Sequence, residues 1–387
     1  MTCAVLFFAH SYPAGLVYHL AHLACELMKI PQEEQFKIFI CSEGREQYTG
    51  TWDLLKSQVP VEHIVCFKDY DHDITMQLEG FLKRFNKVLV HFGGGIHQLR
   101  PLMGIRKKYA GRVKLVATTH AFHCGTWKQI PASLVQSILY RRYVDHVIFQ
   151  TPYTARKWVG AGWFFSRGKA SIIPLGVEVF NEMETQKTPE DALGKPDIRD
   201  LLRDKTFFNV VYLASFKSGK EHVWLLNALA SVLRENPKIR LFFLGDGLLF
   251  DDVQQRIQAL HLNEQVICPG RVQRKWIPWV LAQPQVALVA SRGETFGHCF
   301  LEPAFASLPI LGTRVGVGEY LIQDMQTGIA FNHDDVKGFQ SALRFLATHP
   351  EAAKNMGNNL KVMVQTHFSH ASIAHAHHNL YRALLGS

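Results

Sequence analysis

Strand-like apolar runs alternate with amphipathic stretches twice over, on either side of a polar, proline-bearing segment, and this pattern predicts an α/β protein with two Rossmann-like, parallel-sheet domains. At 387 residues the chain is too long for one ordinary core, which agrees with two. Hydrophobic residues make up 47% and charged residues 19%, a globular composition. No apolar run reaches the roughly eighteen residues needed to span a bilayer.

The elements follow in order. Met1–Ala9 lacks the basic start of a signal peptide and reads as a buried first strand, so a cytoplasmic location is expected. Strands are expected at Ala4–Phe8, Phe36–Cys41, Glu62–Cys66, Val88–Phe92, Lys114–Thr118, His146–Gln150 and Ala170–Ile173. The clearest helix between them is Leu16–Met28, with Leu16, Leu20, Leu23 and Leu27 on one stripe. In the second half, strands are expected at Asn209–Leu213, Arg240–Leu244, Gln265–Cys268, Val286–Ala290, Ile310–Gly312 and Gly328–Ala330. The domains are expected at 1–175 and 209–369, joined by 176–208, with a terminal helix over 370–387 packing back on the first. No short-period repeat suggests a solenoid or propeller.

Charge is uneven along the chain. Residues 81–170 hold sixteen Lys and Arg against one acid, Asp145, while the remainder holds 26 bases against 32 acids. A basic region of this kind is expected to meet something anionic, such as an anionic membrane surface on which the protein would sit peripherally, or else to be a solvated face with no partner. Nucleic acid is disfavoured, since no helix-turn-helix, zinc-finger or RNP-like pattern occurs. The seven cysteines are scattered, odd in number and without metal-ligand spacing, and read as reduced core residues. The cluster His367, His370, His375, His377 and His378 has no complementary Cys or acidic set, so no metal is expected there.

The most informative stretch is Glu294-Thr-Phe-Gly-His-Cys-Phe-Leu-Glu302, directly after the apolar run Val286–Ala290. A strand, a loop and a helix whose first turn carries Gly297 would offer backbone N–H groups to a phosphate. On a mostly helical path the two carboxylates lie roughly 12 Å apart, close to the separation of sugar and ribose in a sugar nucleotide. Two readings fit: a pair that clamps hydroxyls at either end of a ligand, or a helix entrance with one Glu near the dipole and one in solvent. Other junctions add detail. Lys217 and Lys220 lie in a strand-to-helix loop, where a lysine can neutralise a diphosphate. Gly245-Asp-Gly247 closes a strand in a tight turn that would admit a ligand close to the backbone.

In order, the lysine loop, the Gly-Asp-Gly turn, Pro269-Gly-Arg-Val272, the spaced glutamates and Gly316-Val-Gly-Glu319 resemble the nucleotide-binding half of the family 4 retaining glycosyltransferases. The first half is similar more weakly, through Gly15 and His19 in Ser11–Leu23, Val116–His120 and Ile172–Phe180. The resemblance implies the GT-B fold, with two Rossmann-like domains facing across a cleft. It implies transfer of a hexose-type sugar, with retention and no metal or other cofactor, from a nucleotide-diphosphate donor to a lipid-linked or surface-glycan acceptor. Within it Lys220 would bind the diphosphate, Glu294 and His120 would contact the transferred sugar, and Glu302 would hold the ribose. Amides of Phe296, Gly297 and His298 would meet phosphate or sugar, Gly15 would let the first domain approach, and Lys217, Gly245, Arg271 and Val272 would complete the donor site. The pattern is broken at Ser215, where an Arg is usual, and also at Ala14, Leu175 and His370. A sugar-nucleotide epimerase of the same fold, or a donor-binding subunit with weakened catalysis, therefore stays open.

Overall fold

The computed structural model describes residues 3–9, 14–30, 36–43, 59–67, 70–119, 130–160, 169–176, 185–190, 193 and 197–386. The chain divides into two compact units, Met1–Glu178 with Phe368–Ser387, and Val179–His367. The first contains β1 (Cys3–Ala9), α1 (Ala14–Lys29), β2 (Lys37–Glu43), β3 (Ile64–Phe67), α2 (Tyr70–Arg84), β4 (Lys87–Phe92), α3 (Ile96–Lys108), β5 (Val113–Thr119), α4 (Ile130–Tyr143), β6 (His146–Phe149), α5 (Pro152–Gly160) and β7 (Ala170–Ile172). The second runs α6 (Arg199–Arg203), β8 (Phe208–Leu213), α7 (His222–Glu235), β9 (Ile239–Leu244), α8 (Phe250–Ala259), β10 (Val266–Gly270), α9 (Ile277–Leu281), β11 (Val286–Val289), α10 (His298–Phe305), β12 (Ile310–Gly312), α11 (Gly318–Leu321), β13 (Gly328–Ala330), α12 (Val336–Thr348) and α13 (Pro350–His367). The last helix, α14 (His370–Leu385), returns to the first unit. A strand lies at each position where the sequence predicts one, with ends moved by a residue or two.

In the first unit seven parallel strands follow the order β3-β2-β1-β4-β5-β6-β7. Continuous apolar runs arise because both faces of the sheet are covered. Along β1, Ala4, Leu6 and Phe8 enter one core and Cys3, Val5 and Phe7 the other, the two-residue alternation of a strand. The first core is closed by Ile74 and Leu78 of α2, Leu99 and Leu102 of α3, Tyr140 of α4 and Trp158 of α5. Leu20, Leu23 and Leu27 of α1 close the second, with Ile373, Tyr381 and Leu385 of α14. Strand order reverses at β1/β4, so right-handed crossovers to either side put their helices on opposite faces.

The histidines of α14 are part of this second face. Both ring nitrogens of buried His91 are 2.6 Å from hydroxyls, Nδ1 from Tyr381 and Nε2 from Thr118. His377 stacks on His91 at 5.7 Å, and its Nδ1 lies 2.9 Å from the Ile373 carbonyl. Burial pulls the His377 pKa from 6.5 down to about 4. The folded chain thus excludes a proton that the unfolded chain binds, so stability is full above about pH 6.5 and falls by about 3 kcal/mol on acidification to pH 4. Melting temperatures recorded from neutral to acidic pH will therefore fall less steeply for His377→Leu than for the native chain. Parallel slopes would remove this histidine from the acid response.

The six-stranded sheet of the second unit is also fully parallel, in the order β10-β9-β8-β11-β12-β13. Its order reverses between β8 and β11. Ligands in such sheets bind beyond the carboxyl ends of the strands at that reversal.

Candidate functional site

The loops leaving β8, β9, β10 and β11 line an open cavity of ≈600 Å³ at the carboxyl edge of this sheet. That volume is within the usual range for small-molecule sites, about 300–1,000 Å³. Lys217, Lys220, Gly245, Arg271, Val272, Glu294, Gly297, His298 and Glu302, which are far apart in sequence, all line it. Phe296 does not; its ring is buried and its carbonyl accepts a 2.7 Å hydrogen bond from the Val317 amide. Gly15 lies in α1 of the first unit, and His120 falls outside the described residues.

The sequence expectation of a helical path from Glu294 to Glu302 needs correction. Helix α10 starts only at His298, with Gly297 at its N-cap in a left-handed conformation (φ +98°). Glu294 therefore sits in the loop before the helix and Glu302 in its second turn, and both reach one cavity. Of the first-turn amides of α10, that of Phe300 donates to the Gly297 carbonyl at 3.1 Å, while those of His298 and Cys299 have no acceptor within the helix, and the helix dipole adds positive potential there.

Glu294 Oε1 gathers three donors. Lys220 Nζ forms an ion pair with it, Ser291 Oγ donates at 2.8 Å, and Cys299 Sγ lies 3.9 Å away. The pair is largely enclosed, with 14% of the Lys220 side chain and 16% of the Glu294 side chain exposed. Lys220 Nζ also donates to Ser291 Oγ at 3.2 Å, and its backbone carbonyl accepts from the buried Tyr212 hydroxyl at 2.8 Å. Lys220 is thus anchored at both ends. Below it, Gly316 (φ +56°) packs so closely that a Cβ there would meet the Phe296 carbonyl oxygen at 2.3 Å and Glu294 Cβ at 2.8 Å. Only glycine allows this approach behind the Glu294 loop.

At the other end, burial raises the pKa of Glu302 and the nearby Arg274 charge partly offsets the rise. Burial followed by the same guanidinium lowers the pKa of His298, whose outer edge is exposed. Arg274 and Ser291 escaped the sequence reading although they take part in the site, and Asp246 and Cys299 entered it only as members of a turn and a stretch. Arg274 occupies a 3₁₀ turn, Arg274–Trp276, two residues beyond Val272, and only the fold brings it to Glu302. Ser215 lines the same cavity as two guanidinium-bearing residues, Arg271 and Arg274.

A cavity walled by lysine, arginine, free helix amides and two carboxylates can hold a phosphate-bearing polyol. Residues 195–363 match the family model described as Glycosyl transferases group 1. They form a glycosyl transferases group 1 domain. N-acetyl-alpha-D-glucosaminyl L-malate synthase of Bacillus anthracis is 26% identical over 176 residues, 46% of this chain and 45% of the relative. Alpha-monoglucosyldiacylglycerol synthase of Streptococcus pneumoniae is 26% identical over 168 residues, 42% and 37% of the two chains. The chain thus spans less than half the length of these curated relatives. The Anabaena protein Alr3699/HepE in complex with UDP superposes with a TM-score of 0.75 at 15% identity, over 98% of this chain and all (100%) of the other. The fold is GT-B.

Proposed function

We propose that the protein is a retaining glycosyltransferase of family 4, which transfers a hexose-type sugar from a nucleotide-diphosphate donor to a glycan or glycolipid acceptor. One observation carries this reading: the cavity of the group 1 domain joins Lys220 and Glu294, held together, to Glu302 and the start of α10. In this reading the diphosphate lies against the N-terminus of α10 with Lys220, and Lys217 adds a second cation. Glu294 accepts hydroxyls of the sugar, and Glu302 accepts those of the ribose. Loss of the nucleotide leaves negative charge on the departing phosphate and positive charge on the sugar ring. The lysines and oriented amides stabilise the first without a metal. As the bond from the anomeric carbon to the phosphate oxygen breaks, the acceptor hydroxyl oxygen bonds to that carbon from the same face and gives its proton to the departing phosphate, which gives retention. Gly15 and His120 belong to the same reading as contributions of the first domain. A relative named as an alpha-monoglucosyldiacylglycerol synthase supports the glycolipid class, and a structural neighbour in complex with UDP supports the nucleotide class.

The test is a panel of sugar nucleotides followed by calorimetry and by product analysis with and without acceptor extracts. Transfer that requires an acceptor is expected. A changed sugar nucleotide without acceptor would identify an epimerase, and tight binding without turnover would identify a donor-binding subunit.

A further inference from the structure

Three bases of the basic region, Arg106, Lys108 and Lys114, are neutralised within the fold. Arg106 donates to both oxygens of Asp145 at 3.1 and 2.9 Å, and Lys114 reaches the same carboxylate at 3.4 Å. Lys108 pairs with Glu79 at 2.8 Å, and Arg112 caps the carbonyls of Leu82, Phe85 and Asn86. Helix α4 differs. It contains no acidic residue, and among the described residues neither Arg141 nor Arg142 meets a carboxylate. Tyr140 and Ser137 of the same helix are buried, so the opposite face is the outward one. At about 100° per residue, Val135, Ile138, Arg141 and Arg142 fall on that face within one arc of roughly 120°. Val135 is 53% and Ile138 57% exposed, an apolar pair that nothing among the described residues of the unit covers. Lys169 brings a third cation, donating to the Arg141 carbonyl at 3.5 Å.

We propose that α4 is a docking helix for an anionic lipid surface, with Val135 and Ile138 entering the headgroup layer and Arg141, Arg142 and Lys169 meeting lipid phosphates. Exposed aliphatic side chains beside bases, without acids, are the composition that such an interface selects. A twofold contact between two copies through this face would bring the arginines towards their own copies, against like charge. A nucleic-acid backbone offers phosphates but no apolar layer for Val135 and Ile138. The proposal does not depend on glycosyl transfer, because its test uses no sugar nucleotide.

The experiment is co-sedimentation of the full chain with vesicles of phosphatidylcholine alone and of an equimolar mixture with phosphatidylglycerol. Binding to the mixed vesicles is expected, weakening as salt is added. Each base near such a surface strengthens partition about fivefold, so R141Q/R142Q should bind about 25-fold more weakly. V135S/I138S should also lose binding. A matched loss of charge in the second unit, K337Q/K354Q, should leave binding nearly unchanged, with melting temperatures confirming that every variant is folded. The proposal is overturned if R141Q/R142Q binds as well as K337Q/K354Q, or if neutral vesicles bind equally. It is also overturned if light scattering reports a dimer that V135S/I138S abolishes while vesicle binding persists.

Discussion

Alanine at position 220 is expected to lower the proposed sugar transfer by about 10²–10³-fold, the loss typical when one preorganised charge-stabilising donor is removed. The same substitution also destabilises the second unit. It strands Glu294, whose side chain is only 16% exposed, with Ser291 Oγ and the distant Cys299 Sγ as its remaining donors. Breaking one side of a buried pair typically costs 3–5 kcal/mol, and the partial exposure here reduces that to about 1–3 kcal/mol. The two effects separate in a double variant. Lys220→Met with Glu294→Gln removes both charges and regains most of the stability, yet it stays inactive because both donor contacts are gone. Steady-state rates and urea denaturation of the single and double variants check this. Full transfer by Lys220→Ala, or restored transfer in the double variant, would remove the pair from the chemistry.

Gly316→Ala is expected to unfold more easily than any surface change and to lose donor affinity as well. The added Cβ would sit 2.3 Å from the Phe296 carbonyl oxygen and 2.8 Å from Glu294 Cβ, on a backbone with φ +56°. Strain and displacement together should cost about 2–4 kcal/mol. Gly219→Ala is the comparison. Gly219 also has positive φ, +84°, but a Cβ added there would meet no atom within 4 Å, so it isolates the conformational penalty of about 1–2 kcal/mol. The difference in denaturation midpoints between the two variants measures the clash, and calorimetry with a sugar nucleotide measures its transmission to Glu294. Equal midpoints would mean that the Glu294 loop yields freely.

Most strands were legible because they are buried on both faces, which leaves continuous apolar runs such as residues 4–8 and 88–90. Helix boundaries at the site were not, because the sign of φ at Gly297 decides where α10 begins and composition does not carry that sign. The distance between Glu294 and Glu302 was consequently drawn along a helix that only one of them occupies. Arg274 was missed for another reason. Its neighbour in sequence, Lys275, has the same charge and its ammonium lies over the Trp276 ring, so only the path of the turn separates the residue that faces the cavity. Net charge over 81–170 could be counted directly, whereas its internal neutralisation by Asp145 and Glu79 required tertiary contacts. The histidines of α14 likewise read as isolated rings until His91 and Tyr381 came beside them.

The hydrogen bond from Val317 to Phe296 ties the Glu294 loop to a segment some twenty residues downstream, at 2.7 Å. The loop before α10 and the turn into α11 are therefore coupled directly. A chimaera meant to change sugar preference by importing Ser291–Phe305 alone would separate this loop from the glycine turn that supports it. One that imports the chain through Leu321 carries the support with it, and that is where a boundary for recombination belongs.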